Sequence, residues 1–328
     1  MASVAVSEPV APAKKILVFG ATGVIGRFII AALVNAKSNF ERVGFFTSRD
    51  TWYSKGNFVD TLEKNGVESI IGDINDDAQV SKAYEGYDTV VSALGRDVIE
   101  KQIDLIRLAE SSSTITRFIP SEYGTDIEYN ASSANEKPHQ KKLQVRAYIK
   151  SSVSRLRYTY LVTGPFADLY VSNRPKMPEA GTFDVVNMKA TLLGDGNGKT
   201  SLTTMADVGR LLVAVLLHPE VSDNRALKVN SYTTTPHELL AEFERQMETK
   251  WEVSYTSLPE LKAHEQAAWR DGKPAATGYT LRRIWTEGGT LYDQTDNAVL
   301  GKNKMDTVEM TVQHEITSWA NAIHAIKT

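Results

Sequence analysis

Three glycines at fixed spacing, Gly20-x-x-Gly23-x-x-Gly26, open a stretch in which Thr22, Val24 and Ile25 fill the gaps. The chemistry such a turn offers is anion binding. A first glycine turns the chain sharply, a second lets backbone approach a pyrophosphate with no Cβ in the way, and a third lets the next helix pack on the preceding strand. The helix N-terminus then presents free N–H groups to phosphate oxygens. The spacing departs from G-x-G-x-x-G by one residue in its first interval, but a strand before it and a helix after it supply the required context. The alternative is a tight strand-to-helix turn with no ligand. A second candidate, Thr47-Ser48-Arg49, ends the next predicted strand. An acidic residue there would bind a free ribose 2′-hydroxyl, whereas a guanidinium accepts a 2′-phosphate, and Lys55 is close enough in sequence to add charge. NADP(H) is therefore preferred to NAD(H), with Asp50 as the competing side chain.

Further candidates follow later strands, where ligands bind in open α/β sheets. Gly72-Asp73-Ile74 brings a carboxylate and an apolar side chain either to an adenine pocket or, for Asp73, to the cap of the next helix. Ala93-Leu94-Gly95 falls near the cofactor's middle, and Ser121-Glu122-Tyr123 follows the fifth strand into the cleft. Residues 126–140 read as a flexible flap over that cleft. Gly164-Pro165-Phe166 sets a ring at a domain junction, as substrate wall or as packing, and Trp269 and Trp285 carry the same two readings. The six histidines lie far apart with no metal-ligand spacing.

These groups need elements to hold them. Lys15–Phe19 is an apolar run suited to a strand buried on both faces, and Phe28, Ile29, Ala32 and Leu33 give the following helix one apolar face. Strands are then expected at 43–47, 68–71, 89–93, 116–119 and 158–162, with helices at 58–65, 77–84, 98–111 and 141–152 between them. That alternation predicts an α/β fold, a doubly wound parallel Rossmann sheet, with a smaller C-terminal α+β substrate domain. The division expected is a flexible leader at 1–13 and a dinucleotide domain at 14–165 with return segments around 205–231. Residues 166–204 and 232–328 make the substrate domain. Helices are expected at 207–217 and after Pro236.

Length and charge narrow the partner. The 328 residues can bury a core without staples, and none is cysteine, which removes thiolate nucleophiles and Cys-ligated metals. Against 40 Asp and Glu stand 37 Lys and Arg, a balance of −3 that draws neither nucleic acid nor an anionic membrane. No signal peptide or spanning run is found, so a cytoplasmic monomer or homodimer with a small-molecule partner is expected.

In combination these segments resemble the NmrA-like, isoflavone-reductase-like branch of the atypical short-chain dehydrogenases. The resemblance is carried by the 20–26 turn, Asp73, Ser92-Ala93-Leu94-Gly95, Gln102, the 117–124 segment, Lys142-x-x-Val145-Arg146, Tyr158-Thr159-Tyr160 and Gly194-Asp195-Gly196-Asn197-x-Lys199 followed by Asp207. It implies an NADPH-binding Rossmann domain, Gln102 among its cofactor-side residues, and an aromatic, phenylpropanoid-type substrate. The Tyr-x-x-x-Lys pair of classical relatives is absent, and the resemblance gives the proton donor's role to Lys142. A desolvated lysine has a lowered pKa and can protonate a carbonyl oxygen as hydride arrives. Ser121 and Tyr123 would orient it, while Glu122 would contact the cofactor or pair with Lys142. His139 is a lesser candidate for a relay. The expected activity is NADPH-dependent reduction of a carbonyl or conjugated double bond of an aromatic metabolite. Two other readings stay open: a non-catalytic redox-sensing regulator, and a non-redox lyase or isomerase on the same scaffold.

Overall fold

The structure, a computed structural model, describes residues 11–327, apart from the side chains of 322–327. Most of the expected leader, residues 1–10, lies outside the described residues. By Ala13 the chain is already docked: that residue is buried and its N–H donates to the Leu216 carbonyl at 3.0 Å.

Apolar β-branched runs alternate with amphipathic segments because each strand, covered on both faces, must be followed by a helix that covers it. The chain passes through β1 (Lys15–Phe19), α1 (Gly26–Asn35), β2 (Arg42–Thr47), α2 (Arg49–Ser54), α3 (Gly56–Lys64), β3 (Glu68–Ile71), α4 (Asp77–Ala83) and β4 (Thr89–Ser92). It continues through α5 (Gln102–Ser111), β5 (Arg117–Ile119), α6 (Gln140–Ser152) and β6 (Arg157–Val162). After α7 (Ala167–Tyr170) come β7 (Thr182–Asp184), β8 (Lys189–Leu193), β9 (Thr200–Leu202), α8 (Met205–Leu217), α9 (Pro219–Ser222) and β10 (Arg225–Lys228). The remainder is β11 (Tyr232–Thr234), α10 (Pro236–Met247), β12 (Glu252–Thr256), α11 (Leu258–Arg270), α12 (Ala276–Thr286) and α13 (Val308–Lys327).

The main sheet has seven parallel strands in the order β10-β6-β5-β4-β1-β2-β3. Its order reverses between β1 and β4, the switch point at which open α/β sheets bind ligands. One face carries a core of Ile16, Val18, Ile29, Leu33 and the apolar side of α8; the other carries Leu17, Phe19, Leu105, Phe118 and Ile149. A three-stranded sheet, β12-β8-β7, and the pair β11-β9 lie outside the main sheet. Among the described residues no helix is long and apolar enough to cross a membrane.

Two segments differ from the expected elements. The helix expected from residue 98 is regular only from Gln102, and residues 96–101 form 3₁₀ turns broken by Val98 at φ −117°. Arg49 does not trail off the second strand but begins α2, whose first turn is held by the Ser48 hydroxyl accepting from the Thr51 N–H at 3.2 Å.

Candidate active site

The C-terminal ends of the parallel strands place three features along one edge of the sheet: the glycine turn after β1, a hollow after β2 and β3, and a pocket after β5 and β6. At the glycine turn, Gly20 has φ +83°, and a Cβ on it would lie 2.6 Å from the Ala93 carbonyl oxygen. A Cβ at Gly26 would lie 2.0 Å from the Gly20 carbonyl oxygen, so these two glycines are demanded by the protein's own packing. Gly23 is different. It is exposed, and its Cβ would meet only the Gly20 oxygen closely, at 3.2 Å. The space it leaves faces outward. Ile25 is buried, Thr22 half-buried and Val24 62% exposed, and no side chain caps the start of α1. A helix start without a side-chain cap, behind a glycine whose missing Cβ faces outward, suits a phosphate group.

That packing has a measurable consequence. Gly26→Ala should lower the unfolding free energy by about 3 kcal/mol, because backbone must move to admit the methyl group. Gly23→Ala should cost under ~1 kcal/mol. Equal losses of stability in urea titration for the two variants would contradict the distinction.

Arg49 is exposed and lines the hollow together with Ser48, Asp50, Ile71, Gly72, Asp73 and Gln79. Two expected neighbours are not there. Lys55 lies beyond the whole length of α2, at its C-terminal end, and Ile74 packs against the core beneath the sheet. Asp73 does not cap α4 either: its carboxylate accepts from the Asn75 N–H at 2.9 Å, and Asp76 is the cap, accepting from the Ala78 and Gln79 N–H groups.

The loop after β4 is stitched to the loop after β5. Gln102, buried, accepts from the Ser121 N–H at 2.6 Å, and the Ser121 hydroxyl donates to the Leu94 carbonyl at 2.9 Å. The hydroxyl of Ser121 is thus committed to Leu94 and not to Lys142. Gln102 likewise holds protein backbone from a buried position. Ala93 is buried against Gly20, while Gly95 has open space at its Cβ position.

The pocket, a cavity of about 280 Å³, is where the remaining groups converge. Lys142 and Arg146 lie four residues apart on α6 and so share a face. Both reach Glu122, but at different atoms. Lys142 Nζ donates to the Glu122 backbone oxygen at 2.9 Å, whereas Arg146 grips the Glu122 carboxylate with Nε at 3.1 Å and Nη2 at 3.0 Å. The expected Glu122–Lys142 pair is therefore replaced by a buried Glu122–Arg146 pair, because a guanidinium can satisfy both carboxylate oxygens at once. Glu122, 1% exposed, is closed to any ligand by the same pair. Left without a salt bridge among the described residues, the Lys142 ammonium is pushed down to about 8 by burial, against the pull of Glu122 and with the help of Arg96 and Arg146.

Tyr123 lines the pocket with a buried hydroxyl that has no hydrogen-bond partner, and burial raises its pKa. His139 Nδ1 sits 3.0 Å from the Ser133 carbonyl, which can only accept. The proton is on Nδ1, and Nε2 is an unpartnered acceptor in the pocket wall, with burial lowering the ring's pKa. Gly164, Pro165 and Phe166 all line the cavity; Gly164 is at φ +63° with its N–H on the Gly124 carbonyl at 2.9 Å. Trp285 joins them, its indole N–H donating to Thr125 at 2.8 Å, while Trp269 packs outside, under the Lys137 ammonium.

Residues 126–140 are not a loose flap. Asp126 pairs with Lys228 at 2.9 Å, Glu136 with Arg283 at 2.6 Å, and Pro138 and His139 are buried, so the segment forms a pinned wall. The Gly194-to-Lys199 turn and Asp207 lie away from the cavity. Asn197 holds His237, and the Asp207 carboxylate, fully buried, binds Arg210, Ser231 and the Asp306 N–H.

Sequence reasoning missed three arginines of the pocket, Arg96, Arg174 and Arg282. Nothing in the sequence marked Arg282 off from its neighbour: the two arginines, consecutive on α12, point about 100° apart, an angle within which both can face solvent.

Comparisons with known proteins bear on the family and the fold. The family model described as the NmrA-like family matches residues 12–271. Isoflavone reductase of Pisum sativum is 30% identical over 258 residues, 74% of this chain and 79% of that protein. Eugenol synthase 1 of Petunia hybrida is 30% identical over 230 residues, 70% of this chain and 71% of that protein. The binary complex of leucoanthocyanidin reductase from Vitis vinifera with NADPH superposes at a TM-score of 0.77 and 22% identity, covering 92% of this chain and 99% of that one. With a family match over most of its length and the glycine turn, strand order and pocket in their expected places, the chain belongs to the NmrA-like family.

Proposed function

We propose that this protein is an NADPH-dependent reductase that acts on a carbonyl or conjugated double bond of an aromatic metabolite, with Lys142 as the proton donor. The observation that carries the reading is a half-buried ammonium, held by one backbone carbonyl and free of any salt bridge among the described residues, in an aromatic-walled pocket on the sheet edge that also bears the glycine turn. The division into a dinucleotide domain at 14–165 with return segments around 205–231, and a substrate domain at 166–204 and 232–328, is part of the same reading.

The residues present fit a dinucleotide phosphate. Gly23 leaves its space in a turn that Gly20 and Gly26 allow to pack, the N–H groups of Thr22, Val24 and Ile25 are open to it while that of Gly23 is held by the Gly20 carbonyl, and Arg49 stands at the hollow that would take a 2′-phosphate. When bound, NADPH supplies a hydride. What the chain itself supplies is a proton at Lys142 Nζ, whose lowered pKa leaves it mostly protonated near neutrality yet ready to give the proton up. The Glu122 carbonyl fixes its position, and the Tyr123 hydroxyl, unspent, can donate to an oxygen placed beside it. Phe166 and Trp285 offer flat apolar walls for an aromatic ring. Relatives at equal identity are named isoflavone reductase and eugenol synthase, so family membership alone leaves the substrate open.

The experiment is a titration with NADPH and with NADH followed by tryptophan fluorescence, then a panel of aromatic ketones and enones followed by loss of NADPH absorbance. Tight NADPH binding and turnover support the reading; failure to bind NADPH refutes it. Arg49→Ala should weaken NADPH by roughly 10- to 100-fold, the equivalent of one charged hydrogen bond, and leave NADH nearly unchanged. An equal loss for both nucleotides removes Arg49 from this role.

A further inference from the structure

Most structural arginines of this chain are paired with carboxylates, and Arg155, which is not, spends its guanidinium on the carbonyls of Ala109, Glu110 and Ile115. Arg283 binds Glu265, Glu136 and Glu287, Arg146 binds Glu122 and Glu128, and Arg117 binds Asp223. Arg282, the residue beside Arg283, has no such partner. It is 2% exposed, and among the described residues its only hydrogen bond is from Nη2 to the Tyr170 carbonyl at 3.0 Å. Its guanidinium lies 4.1 Å from the centroid of the Tyr170 ring and 5.4 Å from that of Trp285. Of five donors one is used.

A second guanidinium shares its end of the pocket. Arg174 donates to the Leu169 carbonyl, and its Nε is buried with no partner. Among the described residues neither arginine makes a salt bridge, and no aspartate or glutamate lines the cavity. The two cations feel one another: burial first and Arg174 second hold Arg282 down, to about 9. A buried guanidinium beside a half-buried one with no counter-ion is costly, and a protein keeps such an arrangement where a ligand's charge completes it. The pair is also separate from the reacting end. Lys142 is acted on by Glu122, Arg96 and Arg146, not by Arg174 or Arg282. Nor do α12 and the segment after α7 border the glycine turn or the Arg49 hollow, so the nucleotide's phosphates are not the missing anion.

We propose that the substrate of this pocket is an aromatic acid whose carboxylate is bound by Arg174 and Arg282, with its reducible group toward Lys142. This rests on the reductase reading and narrows it to a substrate class. The planar fork of an arginine matches a carboxylate through two parallel N–H bonds, and two forks can hold one carboxylate from adjacent sides. The rings of Tyr170 and Trp285, tilted 43° to one another beside Arg282, would cover the skeleton next to that group.

The test is calorimetric and needs no turnover. The full-length protein saturated with NADP+ is titrated with three matched pairs, 4-hydroxycinnamate, 3-phenylpropanoate and 2-hydroxybenzoate, each against its methyl ester. In at least one pair the acid should bind tenfold or more tightly than its ester, and the advantage should fall below threefold in Arg174→Gln and in Arg282→Gln. Raising the salt concentration should weaken the acid and not the ester. Because Arg282 is buried and its variant can fail to fold, Arg174→Gln and Arg282→Lys provide the second measurement. Esters that bind as well as acids, no binding by either, or a preference for acids that survives in the variants overturns the proposal. NADPH titration of the same samples separates the two failures: no preference for acids in the wild-type protein that binds NADPH refutes the carboxylate site alone, whereas no NADPH binding refutes the reductase.

Discussion

Lys142→Met is expected to lower kcat by ~10²- to 10⁴-fold, the usual worth of a positioned general acid, and to leave NADPH affinity within about twofold. The change keeps the unbranched apolar stem and removes the Nζ ammonium, and with it the proton, the charge and the hydrogen bond to the Glu122 carbonyl. In the wild type the acid form is lost as pH rises through about 8, so turnover should fall across that range, and the variant's residual rate should be flat there. Lys142→Arg should not rescue, because a guanidinium keeps its proton throughout the working range. Stability offers an independent reading. The folded pKa lies below the ordinary 10.5, so between about 8 and 10.5 the unfolded chain holds a proton that the native one lacks, and stability rises with pH over that window. At pH 7 the native protein carries the buried charge, so Lys142→Met should denature no earlier than the wild type there. That advantage should shrink toward pH 10. Turnover by the methionine variant at the wild-type rate, on any aromatic carbonyl that the wild type reduces, would falsify the assignment.

The parts of the fold visible in the residues are those whose cause is local. β1 and the turn into α1 could be read because apolar β-branched residues end at a glycine that only a positive φ explains, and the observed strand is Lys15–Phe19 as expected. β3 was equally plain. α2 was hidden because its six residues bury no side chain and so show no apolar face. The kinked 3₁₀ entry to α5 was hidden for another reason: Ile99, Leu105 and Ile106 keep a helical spacing across a break that Val98 makes in the backbone alone. At the site, Lys142 and Arg146 were legible through their spacing and the family they resemble, but which one would take the Glu122 carboxylate was not. That choice depends on a fork meeting two oxygens in three dimensions. Arg174 and Arg282 come from segments 108 residues apart in sequence and meet only in the folded chain, so nothing local marks them.

Glu122→Ala should cost about 3 kcal/mol of unfolding free energy, the lower end of what breaking a buried ion pair costs. The lower end applies because Arg146 keeps one contact, to Glu128, whose side chain is 62% exposed and solvated. Its guanidinium also still lies 4.4 Å from the centroid of the Tyr160 ring. Glu122→Gln should cost less, since an amide oxygen can still accept from Arg146. Both variants also act on Lys142. The Glu122 carboxylate is the one group that raises the lysine's pKa, and Arg96 and Arg146 lower it, so removing the carboxylate leaves the ammonium facing cations only. The fall of turnover with pH should therefore move to lower pH in Glu122→Gln while the Lys142 tether, a backbone carbonyl, is retained. A destabilised variant with an unmoved pH profile would make Glu122 a packing residue only. A moved profile with little loss of stability would show that the buried pair exists to set the charge state of Lys142, at small cost to the fold.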